Sequence, residues 1–364
     1  MIPMSKPYIG DLEVEYVNKA LKTGWVSSLG EYISSFENEF ARYCEVDYAL
    51  TSSSGTTGLH LVLVALGIGP GDEVIIPDLT FVATANAVYY TGAKVVTADI
   101  NEDSLCISPT AIENAITSKT KAIIPVHLYG HPAQMQEIND IGKKYNLYII
   151  EDAAEAHGAE YCGKKVGGLG IAGVFSFYGN KVITTGEGGM ITTNDKTLFE
   201  KMKFLRDHAM SNSKRYWHTN IGFNYRMTNI QAAIGLAQLN QMDSFLLKKD
   251  QIFNFYEKRL KKYKDLKLNF CSSNMKNIYW AIALQINGFV EKERDKLIKS
   301  LYKKGIEARP FFYPISSMPM YRKKNNSVAR KSSAQGVCLP TFYELQESQV
   351  AYICDTLIGE LYVP

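Results

Sequence analysis

The sequence predicts an α/β protein, a doubly wound sheet with covering helices followed by a smaller unit, and two patterns carry that expectation. From about residue 48 to 195, short β-branched runs alternate with helical stretches, the pattern that builds a parallel sheet. After about Leu239 the chain turns Lys-rich and helical, through Lys248-Lys249-Asp250 to Lys261-Lys262, before a mixed segment. The expected strands are 48–51, 73–76, 94–98, 122–126 and 148–151. Helical patterns fill 57–66, 81–90 and 133–145, and Ser108-Pro109 opens another, with Ser as N-cap and Pro in the first turn. Ligands of such sheets sit beyond the carboxyl ends of the strands, so residues 52–57, 77–81, 127–130 and 152–155 are where chemistry is expected. The later Lys-rich run reads as the solvated face of a helix.

A chain of 364 residues, 46% hydrophobic and 12% aromatic, can bury a substantial core as one large domain and one smaller one. The expected division is 1–245 and 246–364. Forty Lys and Arg against 37 Asp and Glu leave a charge of +3, too weak a field for a dedicated nucleic-acid binder. The six cysteines are dispersed, with no C-x-x-C pair and no histidines at zinc-finger spacing, so reduced thiols and no metal site are expected. The start lacks the pattern of a secretory signal, and no apolar run approaches the roughly 20 residues needed to cross a bilayer. Small-molecule partners, no membrane and a cytoplasmic location are the expectation.

Chemistry concentrates in three places. Lys181 follows an apolar run (173–177) and precedes the glycine-rich Thr185-Gly186-Glu187-Gly188-Gly189. Desolvation there favours a neutral amine able to form a Schiff base, although a lysine closing a strand in water is the commoner use of such a position. Glu151 and Asp152 are adjacent acids at a strand's carboxyl end, where a carboxylate suits a buried cationic partner; taken singly, either could be an exposed loop acid. Thr51-Ser52-Ser53-Ser54-Gly55-Thr56-Thr57-Gly58 joins a strand to a helix and offers backbone N–H groups to a phosphate, or forms a plain capped turn. It lacks the Gly-Lys-Ser/Thr ending of a Walker loop. Gly168-Leu169-Gly170-Ile171-Ala172-Gly173 has dinucleotide-loop spacing but leads into a strand instead of opening a helix, so it reads as turn punctuation.

Together these segments resemble the DegT/DnrJ/EryC1/StrS family of sugar aminotransferases. The match rests on Gly24-Trp25-Val26-Ser27-Ser28, Ser54-Gly55-Thr56, Glu151-Asp152-Ala153-Ala154-Glu155, Ser176 to Lys181, Thr185 to Gly189, Asn224-Tyr225-Arg226-Met227-Thr228-Asn229 and Arg309-Pro310. Within the family the chain is most similar to the branch that forms GDP-perosamine, on Phe177 to Lys181, Tyr216-Trp217-His218 and Met318-Pro319-Met320-Tyr321.

The resemblance implies a fold type I, aspartate aminotransferase-like architecture with a mostly parallel mixed sheet and a smaller C-terminal α+β domain. It implies pyridoxal 5'-phosphate as cofactor. Lys181 would hold it covalently and shuttle the proton, Asp152 would bond its ring nitrogen, and Glu155 would reach its ring hydroxyl. Phe81 would stack on the ring, Gly55, Thr56, Thr57 and Ser176 would take its phosphate, and Asn224 would reach that phosphate from a neighbouring subunit, making a homodimer the working unit. The implied reaction moves the amino group of L-glutamate to a nucleotide-linked ketosugar of the kind built into O-antigen lipopolysaccharide. Ser27, Tyr129, Arg309 and Tyr313 are candidate sugar-nucleotide contacts, with packing between domains as the competing use of the aromatics. A GDP-linked 4-keto-6-deoxy-mannose is the favoured acceptor, with UDP- or dTDP-linked sugars and amination at C3 as alternatives. A dehydratase of this family would carry histidine in place of Lys181, and a non-enzymatic regulator would lack the cofactor residues. The chain departs from the family at Ile171, where many members carry Asp, which implies a changed turn.

Overall fold

A computed structural model describes residues 1–362. The main sheet takes β1 (Tyr48–Ser52), β2 (Glu73–Pro77), β3 (Lys94–Ala98), β4 (Thr120–Ile123) and β5 (Tyr148–Asp152) from the first half of the chain. A short hairpin, β6 (Glu160–Tyr161) and β7 (Lys164–Lys165), precedes its last two strands, β8 (Ala172–Ser176) and β9 (Gly189–Thr193). The seven strands lie in the order β1-β9-β8-β5-β4-β2-β3, all parallel except β9, which runs antiparallel to both neighbours. Every residue of β2 and β9 is buried, as expected of strands covered on both faces. Strand β4 stops its ladder three residues before the expected end because Pro125 has no N–H to donate; the chain continues alongside through Ile124 N–H to the Ile75 carbonyl (2.8 Å).

Helices α1 (Asp11–Thr23) and α2 (Glu31–Tyr43) precede the sheet, and α3 (Gly55–Ala65), α4 (Val82–Tyr90), α5 (Pro109–Glu113), α6 (Met135–Tyr145) and α7 (Lys196–Arg206) are threaded through it. Ser54 caps α3 by accepting from Thr57 N–H, and Gly55 lies close to β8: a Cβ there would stand 3.1 Å from Ser176 Cβ, so a larger residue would press its neighbour aside by a few tenths of an ångström. This close approach brings the start of α3 against the carboxyl end of β8. The helix α8 (Asn229–Leu239), opened by a Thr228–Gln231 capping box, leads into α9 (Met242–Leu260).

A second sheet follows. After β10 (Leu266–Lys267), β11 (Met275–Lys276) pairs back with β6, and β12 (Ile282–Ile286), β13 (Arg309–Pro310) and β14 (Gly336–Leu339) complete a four-stranded antiparallel sheet, β10-β12-β14-β13. It packs with α9, α10 (Glu291–Lys303) and α12 (Glu347–Tyr362) in one apolar cluster, while α11 (Ser327–Gln335) stacks its start on Asp99 of the main unit. The chain start belongs spatially with this sheet: Ile2 N–H donates to the Gly305 carbonyl and Thr341 N–H to the Met4 carbonyl.

The Lys-rich run is not wholly the solvated helix face that the sequence predicts. The period of α9 buries Phe245, Leu246, Lys249, Ile252, Phe253 and Tyr256 together. Among the described residues Lys249 has no carboxylate beside it; its Nζ donates to the Trp280 carbonyl (3.2 Å), the Thr341 carbonyl (3.1 Å) and Thr341 Oγ1 (3.1 Å). Lys249 thus ties the segments before β12 and after β14 to α9.

Burial lowers Lys249 from the ordinary 10.5 to about 7. Between those values the unfolded chain retains a proton that the folded chain has released, so this group's contribution to stability rises with pH across that window. Lys249→Met removes the titration. Its unfolding midpoint relative to the native chain is expected to worsen from about pH 6 to about pH 9, checked by thermal melts; a difference independent of pH contradicts the buried, uncompensated charge.

Candidate active site

Glu151 and Asp152 end β5, and strand alternation sends their side chains to opposite faces. Glu151 turns away from the sheet's carboxyl edge into a nest of donors. Its Oε1 accepts from Leu169 N–H (2.7 Å) and Gly170 N–H (2.8 Å), and its Oε2 from Gly167 N–H (2.8 Å) and His127 Nε2 (3.0 Å). His127 Nδ1 accepts from Ala133 N–H (2.9 Å), which assigns the ring proton to Nε2. The glycine motif that the sequence offers only as turn punctuation therefore helps wrap a buried carboxylate, through Leu169 and Gly170 within it and Gly167 just before it, while its Ile171 holds its own N–H on the Ile149 carbonyl (2.8 Å).

Asp152 faces a cavity of about 480 Å³ at the carboxyl edge of the sheet. Its Oδ2 accepts from Thr84 Oγ1 (2.7 Å) and its Oδ1 from Ala154 N–H (3.2 Å). Burial raises its proton affinity, opposed by those two hydrogen bonds and by the charge of Lys181. Glu155 lies one turn on, Oε2 accepting from Tyr129 N–H (3.1 Å) and Oε1 standing 3.4 Å from Lys181 Nζ. Burial raises Glu155 too, and the Lys181 ammonium opposes that most strongly. Lys181 is largely buried, and its Nζ sits 4.3 Å from the centroid of the Trp280 ring.

The cavity draws together Gly55, Thr56, Phe81, Tyr129, Asp152, Glu155, Ser176, Lys181 and Arg309 from widely separated stretches. Thr57 does not line it, because its hydroxyl folds back onto Ser54 to close the capping box. Phe81 is 55% exposed at the cavity edge, tilted against Phe312 (5.6 Å). Tyr129 is buried, its hydroxyl accepting from Phe312 N–H (3.1 Å), and its backbone takes a positive φ of 54°. Arg309 pairs with Glu307 (2.9 Å). Ser27, Asn224 and Tyr313 lie outside this cavity: Ser27 is an exposed loop residue, Asn224 is exposed and accepts from Arg226 Nε (3.0 Å), and Tyr313 accepts from the buried Arg294 (3.3 Å).

Sequence reading missed Trp280 and Thr84. Nothing in the pattern around Trp280 announces it, since it reaches Lys181 only because the second sheet packs over the first. His157 is a packed histidine: both ring nitrogens lack partners among the described residues, the ring lies against Phe175 (5.3 Å) and Phe177 (5.7 Å), and burial followed by the Lys181 charge lowers it to about 3. Among the described residues, no cluster of three His, Cys, Asp or Glu could hold a metal, and no helix is long and apolar enough to cross a membrane.

Residues 7–358 match the model of the DegT/DnrJ/EryC1/StrS aminotransferase family. The chain is 46% identical over 363 residues to the GDP-perosamine synthase of Escherichia coli O157:H7, covering 99% of this chain and 98% of that protein. It is 44% identical to the GDP-perosamine synthase of Caulobacter vibrioides, covering 96% and 95%. Among solved structures it superposes on Helicobacter pylori PseC, an aminotransferase involved in the biosynthesis of pseudoaminic acid, with TM-score 0.94, 28% identity and coverage of 99% and 98%.

Glu151→Gln places an amide NH₂ where one carboxylate oxygen now accepts from two N–H donors, leaving both buried donors without an acceptor. The expected cost is about 1–3 kcal/mol of stability, measured as a lowered denaturant midpoint; an unchanged midpoint would show that the nest does not support the fold.

Proposed function

We propose, from the premise that the chain belongs to the DegT/DnrJ/EryC1/StrS aminotransferase family, that it transfers the amino group of L-glutamate to GDP-4-keto-6-deoxy-D-mannose, giving GDP-perosamine. It is a pyridoxal-phosphate-dependent aminotransferase. The observation that carries the assignment of the site is one cavity shared by a lysine amine, a buried carboxylate and the open start of a helix.

Pyridoxal phosphate fits the residues present. The volume suits a single bound cofactor with room for substrate. The N–H groups of Gly55 and Thr56 open α3 and cannot bond within it, so with Ser176 beside them they suit a phosphate. Asp152, short of donors and raised by burial, suits a protonated ring nitrogen; Glu155 suits the ring hydroxyl; Phe81 suits the ring face. Bound there, the cofactor supplies an electron sink for the bonding electrons released at the amino donor's α-carbon.

The chain's own residues supply the rest. Lys181 would hold the cofactor covalently between turnovers, and once the donor's amine displaces it, its Nζ would take the donor's α-proton as base and deliver it as acid to the cofactor carbon that it had occupied. Glu155 and the Trp280 ring would steady that amine once it carries the proton. Asp152 keeps the ring nitrogen charged. In this reading residues 1–245 carry the cofactor and 246–364 close the cavity. The 44–46% identity to two GDP-perosamine synthases supports a GDP-linked acceptor and amination at C4.

We further place the working unit as a homodimer, with Asn224 reaching the partner's phosphate site. Exposed Trp25, Val26, Leu29, Trp217 and Ile221 supply apolar surface for such an interface.

Incubation with glutamate and GDP-, UDP- and dTDP-linked 4-keto-6-deoxy sugars, followed by mass spectrometry and NMR, is expected to yield a 4-amino product from the GDP sugar. Amination of none of them overturns the sugar assignment. Lys181→Ala is expected to lose turnover and the cofactor's visible absorbance together, and full turnover in that variant contradicts the role of Lys181. Mixing inactive Lys181→Ala with a phosphate-weakened Asn224→Ala is expected to recover activity, since each hybrid dimer contains one site free of both changes. No recovery, with hybrids verified by native mass spectrometry, contradicts the shared site.

A further inference from the structure

We infer that Thr84 is a positioning residue for the cofactor's ring nitrogen: acting through Asp152, it sets how firmly the proton stays on that nitrogen. The inference rests on the cofactor reading above. The backbone of Asp152 is fixed on both sides, its N–H donating to the Pro125 carbonyl (2.9 Å) and its carbonyl accepting from His127 N–H (3.0 Å). Its carboxylate is fixed at each oxygen by one donor, Thr84 Oγ1 (2.7 Å) on Oδ2 and Ala154 N–H (3.2 Å) on Oδ1. Thr84 is buried in the first turn of α4, the helix that Phe81 opens. A helical threonine commonly returns its hydroxyl to a carbonyl three or four residues back. This one reaches across to β5 instead, with Thr80 Oγ1 behind it at 3.2 Å. A hydroxyl has one proton to give. Thr84 spends its own on the carboxylate, which when ionised can only accept, so Thr80 donates to Thr84.

Two hydroxyls in series therefore turn their positive ends toward Asp152, each strengthening the next. Burial pushes Asp152 toward its neutral form, and the Thr84 bond opposes it ahead of the Ala154 N–H and the Lys181 charge. A proton shared between a ring nitrogen and a carboxylate lies toward the stronger base, so a donor that stabilises the ionised carboxylate keeps the proton on the ring. Without the hydroxyl, Asp152 becomes the stronger base and draws the proton to itself. The ring then gives up part of the charge that makes it an electron sink. The segment leading into α4 is anchored as well: the carboxylate of Asp78 accepts from Ser316 N–H (2.7 Å) and Ser316 Oγ (2.7 Å). The stretch carrying Thr80 and Thr84 is thereby held at its start by the second unit and at Thr84 by β5.

The test reads the proton directly. Holoenzyme is loaded with cofactor carrying an isotopic nitrogen label in its ring, and the NMR resonance of that nitrogen, which separates a protonated from a neutral ring, is compared among the native chain, Thr84→Val, Thr84→Ser and Asp152→Asn. Thr84→Val keeps the shape and loses the hydroxyl. It is expected to move the resonance toward the neutral ring, through a proton equilibrium shifted about 10- to 100-fold, and to lower kcat with the KM for glutamate unchanged. Thr84→Ser, which keeps the donor, is expected to stay at the native position. Thr84→Ala removes the same hydroxyl and is expected to show the same shift, which decides the matter if the valine variant does not take up cofactor. A native resonance in the variants lacking the hydroxyl, whatever their melting temperature, overturns the proposal. An equal shift in Thr84→Ser also overturns it, by assigning the effect to packing. Asp152→Asn is expected to give the neutral ring. A shift there without one in Thr84→Val removes only the role of Thr84, whereas a native resonance in Asp152→Asn overturns the reading of Asp152 itself.

Discussion

A carboxylate kept from water while facing a cavity is the constraint around which this molecule is organised. Among the described residues Asp152 has only a threonine hydroxyl and one backbone N–H to satisfy it, and burial pushes its proton affinity upward. Such a group is stabilised by a cation delivered into the cavity. The nearest protein cation, Lys181, instead contacts Glu155 and the face of Trp280. In the proposed reading Asp152 meets a partner that the polypeptide does not supply, the protonated ring nitrogen of the cofactor.

Strand alternation is what makes this possible at a single position. Glu151 and Asp152 are consecutive, yet one is sealed behind the sheet by four donors and the other opens in front. The rear nest restrains the end of β5, and His127 connects it back through its own N–H to the Asp152 carbonyl (3.0 Å). The second sheet contributes from the opposite side. Lys249 binds the segments carrying Trp280 and Thr341, and Trp280 then holds the Asn180 carbonyl and faces the lysine amine. Site geometry is thus set by two units that meet over the cavity.

Much of this was legible in the sequence because local patterns dictated it. Runs of β-branched residues placed β1, β2, β3 and β5 to within a residue, and the helical pattern at 57–66 placed α3 to within two. The residues brought together after strands β1, β2 and β5 are those that the carboxyl-edge rule picked out. The family and its pyridoxal phosphate followed from linked motifs. What was not legible depended on long-range packing: Trp280 meets Lys181 across nearly one hundred residues, and Lys249 is buried because α9 turns that face inward. Thr57 looked like a phosphate ligand because a hydroxyl at a helix start can point either way; the capping box took it. The glycine run at 168–173 had the spacing of one anion-binding motif and serves another, a nest for the protein's own Glu151.

The central claim is that Lys181 is the amine of a single cofactor cavity completed by Asp152. Borohydride reduction of the cofactor-loaded protein, followed by digestion and peptide mass spectrometry, tests it most directly. One modified peptide, carrying the reduced cofactor on Lys181, is the expected result. Modification spread over surface lysines, or centred on any lysine other than Lys181, contradicts the account.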